Sequence, residues 1–63
     1  MNNRSPDLFI LTASCPDDLE NIVREKFWRS VYEHDADRYL EASAFADRMH
    51  DTGYFVEYSE VKQ

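Results

Sequence analysis

The chain is poor in the residues that build loops and staples. Its 63 residues contain one glycine, two prolines and one cysteine. A single glycine excludes a glycine-rich phosphate loop. So few breakers leave room only for short connections. One cysteine, Cys15, excludes an intrachain disulfide, and small secreted domains usually rely on several. A reducing cytoplasm is therefore the expected compartment. Long apolar runs are missing too. The longest is Leu8-Phe9-Ile10-Leu11, far short of the ~20 residues of a membrane helix. Met1-Asn2-Asn3-Arg4-Ser5-Pro6 lacks the apolar stretch and cleavage pattern of a signal peptide. Positive charge is scarce, with 7 bases against 13 acids and a formal net charge of −6. That balance opposes direct binding to nucleic acid or to an anionic membrane and suits a basic protein surface.

What is present is ordinary globular composition, 43% hydrophobic and 32% charged. It points to one domain, 1–63, with 1–6 as a flexible lead-in. A chain of this size buries only about 60% of its unfolded surface, so no deep cleft is expected. Residues 7–13 form a short apolar run bounded by turn signals, which predicts a strand. The run is apolar on both faces, so both faces call for cover, one of them by a partner. Ser14-Cys15-Pro16-Asp17-Asp18 has the makeup of a helix start. Leu19, Ile22, Val23, Phe27 and Val31 then follow at helical spacing. Glu20 with Arg24, and Glu25 with Arg29, are favourable one-turn pairs. The pattern predicts a helix over 16–33. A second helix is expected over 36–51, capped by Asp35, with Tyr39, Ala42, Phe45, Ala46 and Met49 as its stripe and Gly53 ending it. The two helices either break near Asp35 or continue through a kink. Tyr54–Val61 alternates as a strand. The expected fold is α+β: a small two-layer domain, strand-helix-helix-strand, with a two-stranded antiparallel sheet. Its unpaired edges leave the chain a monomer or a homodimer.

The acids are unevenly placed. Residues 33–51 carry Glu33, Asp35, Asp37, Glu41, Asp47 and Asp51 against Arg38 and Arg48. Asp37 with Glu41, and Asp47 with Asp51, are like-charged pairs one turn apart, each of which costs a helix a few tenths of a kcal/mol. Asp47 and Asp51 also stand near the helix end where the dipole favours cations. Rules broken without local compensation mark a place where function is expected. The plain alternative is a solvated face that keeps a small protein soluble. Trp28 and Tyr32, four apart, either pack inward or form an aromatic anchor beside the acids.

Chemistry beyond charge is thin. Cys15, His34 and His50 lie near different element ends and share no ligand spacing, so no metal or cofactor site is expected. Cys15 as a nucleophile would need a base beside it and an oxyanion hole, and a small cap-region residue is the plainer reading. The expected protein is not an enzyme.

A tiny acidic chain of this build, with Glu33, Asp35, Asp37, Glu41, Asp47 and Asp51 and the closing run from Ala44 to Glu57, resembles the small anti-CRISPR proteins of phages and mobile elements. The resemblance lies in size, charge and build, since that group shares no motif. It implies stoichiometric inhibition in the bacterial host cytoplasm. Several members mimic DNA and fill a basic groove of a CRISPR interference complex. In that reading the six carboxylates, with Trp28 and Tyr32, contact a CRISPR effector subunit. The alternative is a small structural or regulatory homodimer.

Overall fold

The structure, a computed structural model, describes residues 5–61. Its elements are β1 (Leu8–Cys15), β2 (Asp18–Trp28), a 3₁₀ turn (Arg29–Val31), α1 (Asp35–Asp51) and β3 (Phe55–Val61). The three strands form one antiparallel sheet in the order β2-β1-β3. One helix covers one face.

This corrects the expected fold. The segment read as a helix over 16–33 is mostly a strand, and the sheet has three strands rather than two. Three physical reasons account for it. Cys15-Pro16-Asp17-Asp18 closes a hairpin, for which Pro-Asp serves as well as it does for a helix start. Asp18 Oδ1 accepts a hydrogen bond from the Glu20 amide at 3.3 Å inside that turn. Val23 and Phe27, four apart, match a period of 2 as well as 3.6. Finally, β1 is the central strand, and its second edge needs a hydrogen-bonding partner that β3 does not supply. Pairing runs from Leu8 opposite Trp28 to Ser14 opposite Ile22, then slips to Cys15 opposite Asp18. Leu19 and Val31, the ends of the supposed apolar stripe, are exposed. Cys15 therefore sits half-buried at a strand end, not at a helix start.

The other elements match their expected positions within two residues. The helix opens at Asp35 rather than Ala36, with His34 before it. It ends in a left-handed turn at Gly53, φ +96°. The Gly53 amide donates to the His50 carbonyl and the Tyr54 amide to the Met49 carbonyl, both at 2.9 Å. These two bonds are the Schellman closure. A Cβ at Gly53 would meet nothing within 4 Å, so Gly53→Ala is expected to cost only the backbone strain, about 1–3 kcal/mol. Urea unfolding followed by circular dichroism measures it.

The core lies between helix and sheet. Phe9, Leu11 and Ala13 of β1, Phe27 of β2, and Ala42 and Phe45 of α1 are buried together. Phe9 is its centre. Its ring lies 5.2 Å from that of Phe27, 5.2 Å from Tyr39 and 5.1 Å from Tyr58.

One charged side chain joins this core. Arg38 is fully buried. Its guanidinium donates to the carbonyls of Phe27 at 3.1 Å and Pro6 at 3.0 Å, and pairs with Asp35 at 2.9 Å. It also lies over the Phe9 ring at 4.9 Å. Ser5 donates to the other carboxyl oxygen of Asp35. Nearby, Arg29 pairs with Asp7 at 3.1 Å. Of the expected lead-in, residues 1–4 lie outside the described residues, while Ser5 and Pro6 are tied to the helix through these bonds.

Candidate functional site

Two surfaces stand out, on opposite sides of the sheet. The first is the outer side of α1. At about 100° per residue, Asp47, Asp51, Asp37, Arg48 and Glu41 fall in that order within an arc of about 120°. All five are exposed. Glu25 extends the band, because Glu25 pairs with Leu11 and so faces the helix side of the sheet. Glu25 and Glu41, with Phe27, Ala44, Phe45 and Arg48, line a shallow cleft of about 200 Å³.

Five carboxylates thus surround one guanidinium. Arg48 leans on the Phe45 ring at 5.9 Å, and among the described residues none of these six groups forms a salt bridge. Tyr32 borders the band. Its hydroxyl donates to Glu41 at 2.8 Å. That bond, with partial burial and the charges of Glu41 and Glu25, raises the Tyr32 pKa above its usual 10.0.

The remaining expected residues divide. Glu33 is exposed in the segment before the helix. Asp35 is turned inward and neutralised. The hydrogen bond from Ser5, then the charge of Arg38, hold its carboxyl below the usual 3.8 against the opposing effect of burial. Trp28 does not join Tyr32. Side chains alternate across a strand, so Trp28 lies on the face opposite Phe27, away from the helix. The neighbourhood expected from helical spacing is lost because the segment is extended.

Sequence reasoning also assigned Glu25 to a pair with Arg29, whereas Arg29 bonds to Asp7. The signal that distinguishes these is topological, since only the register of β2 on β1 brings Glu25 under Glu41. Tyr58, on the helix side of β3, has its hydroxyl pushed up to about 12 by burial and by its bond to Glu60.

The second surface is the face of the sheet that α1 leaves open. Its rows follow from the register: Leu8 between Trp28 and Val61, Ile10 between Lys26 and Ser59, Thr12 between Arg24 and Glu57, and Ser14 between Ile22 and Phe55. Phe55 is 65% exposed, Ile22 46% and Trp28 41%.

Among the described residues no group of three His, Cys, Asp or Glu side chains converges as a metal site would. None of the described helices is long and apolar enough to cross a membrane. No known protein family, curated protein or solved structure gives a significant match to the chain.

Proposed function

We propose that the protein acts by binding rather than catalysis, as an inhibitor that occupies a basic, nucleic-acid-binding groove on a partner. One observation supports this reading. Glu25, Asp37, Glu41, Asp47 and Asp51 share one side of the molecule and, among the described residues, have no counter-charge beyond the neighbouring Arg48. A band of carboxylates about one helical turn apart meets a Lys/Arg groove much as a phosphate backbone does, only more coarsely. Electrostatic attraction over such a surface speeds association and fixes orientation. In the anti-CRISPR reading, the partner is a CRISPR effector subunit in the bacterial cytoplasm and the protein is a DNA mimic. Asp35 contributes little to such a surface, being held by Arg38. Trp28 is too far round the sheet to anchor the same contact, so Tyr32 alone supplies the aromatic edge.

The test is charge reversal at the centre of the band. Asp37→Lys with Glu41→Lys is expected to weaken partner binding by at least about tenfold, since reversed charges oppose a basic groove. Short duplex DNA competes for the same groove, and added salt weakens binding steeply. Unchanged affinity with an unchanged circular dichroism spectrum removes the reading.

A second reading has its own observation. The apolar rows on the open sheet face suit a structural or regulatory homodimer, with the acids conferring solubility. A tight dimer that binds no basic partner supports it.

A further inference from the structure

We propose that the open sheet face is a homodimer interface, in which two copies stack sheet on sheet about a two-fold axis parallel to β1. The inference deepens the second reading above, the homodimer, and concerns the side of the sheet opposite the acidic band, so its failure leaves the inhibitor reading untouched.

The argument is one of self-complementarity. A closed dimer uses the same patch on both copies, and two face-to-face sheets can be related by an axis along the strands or across them. An axis across the strands lays β2 on β2. Arg24 then meets Lys26 of the second copy, cation on cation, and the stack is opposed. An axis along β1 lays β2 over β3 at the same height. From the register, Arg24 then faces Glu57, Ile22 faces Phe55, Lys26 faces Ser59 and Trp28 faces Val61 of the second copy. Ile10, Thr12 and Ser14, each half-buried, line the axis, with Leu8 already buried within the chain at its end. Every apolar side chain at the two ends meets an apolar one, and the one acid in these rows meets a base twice over.

Two further features favour this arrangement. Among the described residues Arg24 and Glu57 form no salt bridge within the chain. They flank Thr12 on either side, two strand spacings or about 10 Å apart, and each can pair across the interface. They also stand one residue from Leu11, the middle of the paired stretch of β1. Stacked sheets cross at about 30°, and residues so near the centre shift little under that rotation. The dimer leaves both α1 helices on the outside, with their acidic bands pointing away from each other.

The test uses the full chain in analytical ultracentrifugation. The wild type is expected to dimerise from micromolar concentration upward. Arg24→Glu and Glu57→Arg, each alone, place like charges opposite twice and are expected to raise the dissociation constant at least about 30-fold. Mixing the two monomeric variants restores opposite charges at both contacts and is expected to regenerate dimers. A change within one chain cannot produce that result. In a Cys15→Ser background, Thr12→Cys lies on the axis and is expected to be joined to its copy by a short bis-maleimide. That readout needs neither charge variant to fold. A wild type that stays monomeric at millimolar concentration overturns the proposal. So do single variants that dimerise like the wild type, a mixture that stays monomeric, or absence of the cross-link. Dimers that survive both reversals point instead to edge-to-edge strand pairing.

Discussion

Arg38→Met is expected to remove about 2–4 kcal/mol of stability, the cost of leaving the carbonyls that its guanidinium serves without that donor. Methionine keeps the unbranched apolar stem, which ends about where Nε stands, short of the guanidinium that lies over the Phe9 and Tyr39 rings. What it loses is the donor set. The carbonyls of Phe27 and Pro6, which accept at 3.1 and 3.0 Å, are left without that partner. A buried acceptor left unsatisfied costs about 1–3 kcal/mol, and the Phe27 carbonyl is buried while that of Pro6 is part-buried. A domain of this length has only about 3–9 kcal/mol in all, so the loss is a large fraction of its stability. Urea denaturation followed by circular dichroism measures the loss, and a change under about 1 kcal/mol contradicts the assigned role.

Asp35→Ala is also expected to destabilise, because the fully buried Arg38 guanidinium keeps its two carbonyls but loses the carboxylate that balances its charge. The same pair sets an acid limb. Asp35 has a lower pKa folded than unfolded, so its contribution is complete above the ordinary value of 3.8 and is lost as pH falls through the depressed folded value. Ser5→Ala removes the largest cause of the depression and is expected to shallow the fall of melting temperature below that pH.

Phe9→Ala is the second large effect, expected at about 3–5 kcal/mol. Phe9 is 1% exposed and is the ring that Phe27, Tyr39 and Tyr58 all contact, so its loss leaves a void bordered by three elements. Nothing else in so thin a core refills it. Leu40→Ala is the matching control. Leu40 is 68% exposed and is expected to change stability by less than about 0.5 kcal/mol. Melting curves of the two variants beside the wild type compare them directly. A Phe9→Ala melting temperature close to that of Leu40→Ala contradicts the placement of the core.

Three of the four regular elements were legible from local pattern. Phe9 to Ala13 reads as a strand because apolar residues occupy both faces. The helix over Asp35–Asp51 carries a stripe of 3.6 period, and Gly53 offers the one backbone that closes it. The alternation from Phe55 to Val61 is that of a strand. Residues 18–28 were not legible in this way. Taken alone, Glu20 with Arg24 and Glu25 with Arg29 favour a helix, and the spacing of Val23 and Phe27 agrees with either state. The acids of α1 were correctly counted, but which of them face outward depended on Arg38, whose burial no neighbouring residue announces.

By itself, then, the amino-acid order determined the chain's charge, its helix with a defined end, and two strands, because propensity, periodicity and a left-handed glycine act over a few residues. The tertiary structure alone decided that β2 is a strand, that Asp35 is neutralised while Asp37 and Glu41 are not, and that Trp28 and Tyr32 face opposite sides. Those outcomes come from pairing and burial between residues far apart in the chain. The open edge of β1 contributes more through a partner strand than a few tenths of a kcal/mol per helical ion pair can offset.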